Sequence, residues 1–217
     1  MVGKTQKFFI ENNDIKLEAE YYQNKPNDNT SAVIIFHPHP QYGGDMWNNV
    51  VSGIFNKFVK KDISCLRFNF RAVGRSTGNH TNGEGERRDA KACIDFLIND
   101  KKLKKLLICG YSYGAAIGCS MVNYSDKIIG YVAIAFPWDF MGTDTKESSQ
   151  TNKSKLFIQG TRDFIANYNN FNRHYEFYKE PKKKEIINGA DHFFRGYEER
   201  ISNIVYDFFN SLMNNLN

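Results

Sequence analysis

The chain has 217 residues, of which 41% are hydrophobic and 24% are charged, and its formal net charge is +5 at pH 7. A chain of this length suits one domain and can bury roughly 70% of its unfolded surface. We therefore expect a single domain over residues 1–217. No run approaches the ~20 apolar residues that a membrane span requires, so the sequence excludes one.

The excess of positive charge is concentrated in two lysine-rich clusters, Lys101–Lys105 and Lys182–Lys184. Such clusters can bind nucleic acid or an anionic membrane surface. No basic motif interleaved with aromatic residues accompanies them, so we interpret them as a solvated helix end and a loop before a strand. The sequence thus predicts no nucleic-acid partner.

Four cysteines are present, and none forms a Cys-x-x-Cys pair or a zinc spacing with histidine. Cys65 and Cys109 fall in apolar runs, which predicts buried, reduced thiols. The N-terminal residues Met1 to Gln6 are polar and lack the apolar core of a signal peptide. We expect a soluble protein in the cytoplasm.

The first predicted unit is an antiparallel hairpin, in which Lys7–Ile10 and Ile15–Tyr22 flank the turn Asn12-Asn13-Asp14. Residues 24–29 are predicted to form a loop. A buried strand over Ala32–Phe36 follows and ends where two prolines remove backbone donors. The remaining predicted elements are a helix over Trp47–Lys61, a strand over Ile63–Phe70, a loop over Arg71–Gly85, a helix over Glu86–Asn99, a strand over Leu106–Cys109, a helix over Tyr113–Tyr124, a strand over Ile128–Ala135, an irregular polar segment over Asp139–Asn152, a strand over Leu156–Gln159, a helix over Phe171–Tyr178, a strand over Glu185–Ile187 and a helix over Tyr197–Met213.

Strands and helices alternate from Ala32 to the end of the chain. This alternation is typical of an α/β fold with a mainly parallel sheet and helices on both faces, because parallel strands need crossover connections. The opening hairpin would add an antiparallel edge. The segment between Ala135 and Lys155 is only about 20 residues long and polar, which predicts no sizeable lid.

The strongest motif is Gly110-Tyr111-Ser112-Tyr113-Gly114, which matches the pattern Gly-x-Ser-x-Gly. The predicted strand Leu106–Cys109 precedes it, and a helix rich in small residues follows it. A serine on so sharp a turn needs glycine on both sides and stands at the N-terminus of a helix, which favours a developing oxyanion. Ser112 is the candidate nucleophile, while the alternative is a serine that simply caps a helix.

A serine hydroxyl is a weak nucleophile and needs a base. His192 follows the last predicted strand, and Asp163 follows the strand Leu156–Gln159, so their order along the chain is Ser, Asp, His. In this arrangement the aspartate orients the histidine and stabilises the imidazolium. Asp139 is the alternative acid, whereas we expect the side chain of Asp191 to point elsewhere.

Two backbone N–H groups are expected to bind the oxyanion. Tyr113 follows the nucleophile, and His39 lies in the stretch His37-Pro38-His39-Pro40, where the prolines have no N–H. His37 and His39 could instead bind a metal ion, but a third ligand is missing. We therefore predict no metal and no organic cofactor.

Together these stretches resemble the α/β-hydrolase superfamily, and most closely a small capless branch near the dienelactone hydrolases. The matching stretches also include Tyr42-Gly43-Gly44, Arg67–Arg71 with Gly74 and Ser76, and Asp191–Phe194. Two departures stand out. Ala72 occupies a position where the family usually has glycine, and Ser112 replaces the cysteine nucleophile of the dienelactone hydrolases.

The resemblance and the motifs predict a carboxylesterase-like serine hydrolase that cleaves a small-molecule ester or thioester through an acyl-serine. Alternatives on the same triad are a peptidase, an acyltransferase and an acyl-protein thioesterase. Two further alternatives are a non-catalytic interaction protein of this fold and a basic protein associated with nucleic acid. Neither would need a complete triad. The candidate pocket residues, all aromatic and all on predicted loops or near one, are Tyr42, Trp47, Trp138, Phe140 and Phe164.

Overall fold

The computed structural model describes residues 3–24 and 30–215, so the predicted loop over 24–29 lies, apart from Asn24, outside the described residues. Eight strands form one sheet. In chain order the strands are β1 (Lys4–Asn12), β2 (Ile15–Gln23), β3 (Ser31–Phe36), β4 (Ser64–Phe68), β5 (Lys105–Tyr111), β6 (Ile128–Ile134), β7 (Ser154–Gly160) and β8 (Lys182–Ile187).

The strand order across the sheet is β1-β2-β4-β3-β5-β6-β7-β8. The N-terminal hairpin is antiparallel, and β2 also runs antiparallel to β4, whereas every pair from β4 to β8 is parallel. The predicted α/β fold with an antiparallel N-terminal edge is confirmed. Since β3, β5, β6, β7 and β8 are parallel, their carboxyl ends lie at one edge of the sheet, where loops can build a site.

Helices cover both faces of the sheet. The described helices are α1 (Asn49–Lys60), α2 (Glu84–Asp95), α3 (Tyr113–Cys119), α4 (Gly142–Ser148), α5 (Tyr168–Glu176) and α6 (Glu198–Asn215). Helices α1 and α6 pack together on one face over side chains such as Val33 and Val132. The core of the other face contains residues of α2, α3 and α5, packed on side chains such as Ile34 and Phe157. Helices α1 and α6 each contribute an apolar stripe to their layer, because their buried residues recur at helical spacing.

Three predicted elements need correction. Gly142–Ser148 forms the short helix α4 within the segment predicted to be irregular, and its polar sequence buries only Thr145. Lys182–Lys184 lie in the edge strand β8 rather than in a loop before it. The helix predicted over Tyr113–Tyr124 ends at Cys119 and continues as turns. The polar sequence of α4 has too few apolar positions to reveal the helix, whereas small and apolar residues continue beyond Cys119 and give no signal for the end of α3.

The position of Ala72 has the left-handed backbone conformation that its glycine-containing relatives would favour. Its φ is 62°, and its N–H donates to the carbonyl oxygen of Thr77 at 3.2 Å. The loop therefore keeps a tight turn despite the alanine, at a backbone cost of roughly 1–2 kcal/mol.

Within residues 3–24 and 30–215, no lid domain covers the carboxyl edge of the sheet. The connection from β6 to β7 contains only α4 and its flanking turns. Among the described residues, no helix combines the length and the apolar character needed to cross a bilayer. The four cysteines are unpaired and buried, and burial raises the pKa of the Cys65 and Cys93 thiols.

Candidate active site

Ser112 stands on a sharp turn between β5 and α3. Its backbone angles, φ 53° and ψ −120°, are unusual for a non-glycine residue and indicate strain held by the surrounding packing. A Cβ on Gly114 would collide with the backbone carbonyls of Phe36 and His37, and one on Gly110 would collide with the start of α3. Only glycine fits at either position, so the motif spacing follows from backbone contact.

A chain of hydrogen bonds joins the three residues predicted to form a triad. Ser112 Oγ lies 2.9 Å from His192 Nε2, and His192 Nδ1 lies 2.9 Å from Asp163 Oδ2. All three side chains are buried. Because the Asp163 carboxylate only accepts hydrogen bonds, Nδ1 carries the proton and the lone pair of Nε2 faces the serine hydroxyl. This geometry allows His192 to take the proton of Ser112.

Asp163 is fixed by the turn that follows β7. Its Oδ1 accepts hydrogen bonds from the backbone N–H groups of Ile165 at 2.9 Å and Ala166 at 2.8 Å. The Gln159 side chain donates to Oδ2 at 3.2 Å. On the histidine side, the hydroxyl of Tyr111 donates to the carbonyl oxygen of His192 at 2.7 Å. The Asp163 carboxylate is thus held by two backbone N–H groups and a buried amide, and the backbone of His192 is held by Tyr111.

The two candidate oxyanion donors both line the cavity above Ser112. Within residues 3–24 and 30–215, neither the backbone N–H of His39 nor that of Tyr113 donates to a protein acceptor. The side chain of His39 instead accepts from Gln41 N at 3.2 Å, which shapes the short 3-10 turn Pro40–Tyr42. Two free donors beside a serine hydroxyl can stabilise negative charge on a carbonyl oxygen.

His37 has a structural position in the core rather than a place in the site. Its Nε2 accepts from Phe70 N at 3.0 Å, and its Nδ1 lies 2.7 Å from the carbonyl oxygen of Pro38. Burial lowers the pKa of His37 to about 4, so the ring is neutral. Both ring nitrogens are occupied, and the described residues contain no cluster of three His, Cys, Asp or Glu side chains that could hold a metal.

A buried contact between a histidine and a carboxylate lies behind the candidate oxyanion donors. His80 Nδ1 is 2.9 Å from the carboxylate of Glu86, which also accepts from Gly83 N at 2.8 Å. The His80 ring lies 5.3 Å from the ring of His39 and 5.9 Å from that of Tyr113. Burial alone would raise the pKa of Glu86, but hydrogen bonds from the loop lower it. Through these contacts α2 supports both donor residues.

A cavity of about 820 Å³ opens above Ser112 and His192, within the size range of small-molecule sites. Of the five predicted pocket residues, Tyr42 and Phe140 line it. The lining residues, contributed mainly by loops at the carboxyl edge of the sheet, are Pro38, His39, Tyr42, Gly43, Gly44, Asn48, Asn49, Tyr111, Ser112, Tyr113, Pro137, Phe140, Met141, Ile165, His192, Phe193 and Arg195.

Three other predicted pocket residues do not line this cavity. The prediction for Trp138 was wrong, because this side chain is buried in the core. Its ring stacks on His174 with 5.0 Å between the ring centroids, and its Nε1 donates to the Tyr178 hydroxyl at 2.9 Å. Trp47 packs against the Arg67 guanidinium, 4.0 Å from its ring centroid. Phe164 is exposed and adjoins the lining residue Ile165 without lining the cavity itself.

The two alternative acids have other partners. Asp139 lies 3.0 Å from His174 Nε2 and accepts from Asn170 at 2.9 Å, so it belongs to a separate His–Asp pair beside α5. Asp191 accepts from Phe193 N at 2.9 Å and turns away from the base, as expected from the sequence. Of the three candidate acids, the described structure brings only Asp163 to His192.

Comparison with known families places this geometry in context. A family model described as an alpha/beta hydrolase domain matches residues 31–203, which is most of the chain. The chain belongs to the α/β-hydrolase family. The matched stretch includes Ser112, Asp163 and His192, and the resemblance inferred from the motifs is confirmed.

Individual relatives of this α/β hydrolase support the same assignment. The uncharacterized protein RP471 of Rickettsia prowazekii is 32% identical over 203 residues, which cover 89% of this chain and 84% of RP471. The crystal structure of ATU1826 from Agrobacterium tumefaciens, a protein of unknown function, is 30% identical with a TM-score of 0.86 and covers 97% of both chains. An alpha-beta serine hydrolase homologue from Coxiella burnetii is 27% identical with a TM-score of 0.82, covering 98% of this chain and 97% of its own.

Sequence reasoning missed several residues of the α/β-hydrolase site. Met141, Ile165 and Arg195 line the cavity, and the pair His80–Glu86 supports the donor residues. All except Glu86 lie on loops, where no periodicity indicates the direction of a side chain. The sequence did contain one usable signal. Glu86 occupies the third position of helix α2 after the N-cap Gly83, and a glutamate at this position can accept hydrogen bonds from the preceding loop.

Proposed function

We propose that this α/β hydrolase is a serine esterase that cleaves a carboxylic ester or thioester through an acyl-serine intermediate. The observation that carries the proposal is the hydrogen-bonded series Ser112–His192–Asp163 at the base of the cavity. A serine, a histidine with a free Nε2 lone pair and an orienting carboxylate are the parts of a nucleophilic triad.

In the first half-reaction, His192 Nε2 takes the proton of Ser112 while Oγ attacks the carbonyl carbon. The carbonyl oxygen becomes negative and accepts hydrogen bonds from the N–H groups of Tyr113 and His39. The tetrahedral intermediate collapses, the bond to the alcohol or thiol breaks, and His192 donates its proton to that leaving group. Ser112 then carries the acyl group as an ester.

In the second half-reaction, water replaces the alcohol. His192 takes a proton from water, the hydroxide attacks the acyl carbon, and the same two N–H groups hold the oxyanion. Collapse of this intermediate breaks the bond to Ser112 Oγ, which regains its proton from His192. Asp163 stabilises the imidazolium in both halves and is not itself protonated. Ser112, His192, Asp163 and the two backbone N–H donors together account for each step of this mechanism.

Hydrolysis of p-nitrophenyl butyrate and of an acyl thioester tests the proposal. Ser112→Ala and His192→Ala should each lower kcat by about 10³-fold or more, since triad members act as a unit. His174→Ala is the matched control, because it removes the histidine of the other His–Asp contact, which is partly buried and does not line the cavity. Circular dichroism checks that each variant is folded. A folded Ser112→Ala variant that retains wild-type turnover would contradict the proposal.

A further inference from the structure

Exposed apolar side chains cluster around the mouth of the cavity. Among its lining residues, Tyr42 is 88% exposed, Phe140 72%, Phe193 52% and Ile165 42%. Phe164, adjacent to Ile165, is 86% exposed. Single exposed apolar residues are ordinary on protein surfaces, whereas a contiguous group around a concave site marks a surface that binds an apolar partner. We call Tyr42, Phe140, Phe164, Ile165 and Phe193 the apolar rim.

The part of the cavity wall that is formed by the loops after β6 and β7 is uniformly apolar. Pro137, Phe140 and Met141 follow β6, and Ile165 follows β7, the neighbouring strand. No polar side chain from these two loops lines the cavity within the described part of the chain. This wall begins beside the strand that ends just before Ser112, because β6 pairs with β5, and its residues Phe140 and Ile165 also belong to the rim.

Other lining residues of the cavity differ in chemistry from this wall. Asn48 and Asn49 at the start of α1, and Arg195 after β8, contribute polar or charged side chains. These two regions are joined, since Asn49 Nδ2 donates to the carbonyl oxygen of Phe193 at 3.1 Å. The cavity above Ser112 therefore has an apolar part and a part that carries polar groups. An ester bond held at Ser112 would place its two substituents in different surroundings.

We propose that the apolar wall and rim bind a large apolar group of the ester substrate, an alkyl chain of about six carbons or more or an aromatic equivalent. This inference rests on the proposed esterase function. The occupant is the substrate, because the rim is continuous with the wall that reaches the nucleophile, and a volume of about 820 Å³ greatly exceeds what an acetyl group fills. The exposed side chains give the apolar group contacts beyond the cavity itself.

The test measures kcat/KM for two series of monomeric esters, p-nitrophenyl esters from acetyl to octanoyl and alkyl acetates of rising chain length. Each methylene transferred from water to an apolar wall should raise kcat/KM by about fourfold until the rim is covered. From acetyl to hexanoyl the expected rise is roughly 200-fold in at least one series. A flat or falling dependence in both series overturns the inference.

Variants localise the effect. Phe140→Ala and Ile165→Ala should reduce the rise per methylene, lowering kcat/KM for the octanoyl ester by more than for the acetyl ester. Both side chains are partly exposed, so their truncation leaves the core intact. Phe9→Ala is the matched control, since this exposed phenylalanine on β1 does not line the cavity, and it should keep the wild-type dependence. An equal loss in Phe9→Ala and Phe140→Ala would overturn the inference.

Two outcomes separate this inference from the proposed function and from another occupant. If no ester in either series is hydrolysed by the folded protein, the esterase proposal fails and takes the inference with it. If short esters are hydrolysed but chain length has no effect, only the inference fails. A rise that begins solely above the micellar concentration of the ester would assign the rim to a lipid aggregate and overturn binding of a single substrate molecule.

Discussion

At the residue scale, histidines in one short motif have unlike roles because their surroundings differ. His37 is fully buried, with both ring nitrogens occupied by the backbone of Phe70 and Pro38. His39, two residues later, is partly exposed and lines the cavity. Burial, followed by the nearby charge of His80, lowers the pKa of His39. Both rings favour the neutral form. Because His37 is fully buried, we expect the stability of the fold to depend on its neutral form.

The neutral state of His37 should make stability depend on pH. Burial lowers its pKa from 6.5 to about 4 in the folded protein. The stabilisation is complete above pH 6.5 and is lost as pH falls toward 4, because the unfolded chain binds the proton first. Between pH 7.5 and pH 5 this group should account for a loss of about 2 kcal/mol in the free energy of unfolding.

Urea denaturation of wild type and His37→Gln at both pH values measures this contribution. The glutamine variant should be less stable at pH 7.5, since it fits the core less well. Its free energy of unfolding should nevertheless fall by about 2 kcal/mol less than that of wild type on going to pH 5. Equal pH dependence in the two proteins would show that His37 does not titrate on unfolding.

At the scale of single elements, the connection from β6 to β7 is held by aromatic packing rather than by its own helix. Helix α4 is short and polar, and buries only Thr145. Trp138, just before it, stacks on Phe136 at 5.0 Å and donates to the Tyr178 hydroxyl. This anchor fixes the start of the loop from which Phe140 and Met141 reach the cavity.

Substitution of Trp138 should therefore lower the free energy of unfolding and leave the preference for ester chain length unchanged. Trp138→Phe keeps the stacking but loses the bond to Tyr178, which should cost about 1–2 kcal/mol. Trp138→Ala should cost roughly 3–5 kcal/mol because it leaves a large cavity. Urea denaturation measures both losses. Ester hydrolysis by Trp138→Phe should depend on chain length as it does in the wild type. A tenfold loss of kcat/KM confined to long esters, with unchanged stability, would show that Trp138 contacts the substrate.

At the scale of the whole molecule, the alternation of elements made the architecture predictable from the sequence. Strand and helix patterns differ in period, and the parallel sheet places the ends of β5, β7 and β8 at one edge. The sequence alone therefore predicted that Ser112, Asp163 and His192 follow the ends of these strands and lie near one another. Their mutual distances depend on the twist of the sheet and on loop geometry, and only the structure supplies them.

The cavity wall was far less predictable than the triad. Trp138 and Phe140 are both aromatic and two residues apart, yet one packs inward and the other is 72% exposed. No periodic pattern assigns a face to a loop residue, so the sequence could not separate them. The polar helix α4 was missed for the related reason that it lacks an apolar stripe. Contacts with residues distant in the chain decide both cases.

The most direct test of the account is covalent labelling of Ser112 by a fluorophosphonate, followed by mass spectrometry of the intact protein and its peptides. The folded wild type should gain one adduct, located on Ser112 Oγ, because His192 activates this hydroxyl. Ser112→Ala should gain none, and His192→Ala should react slowly if at all. A folded wild type that stays unlabelled, or an adduct that persists at another residue in Ser112→Ala, would contradict the assignment of Ser112 as the nucleophile.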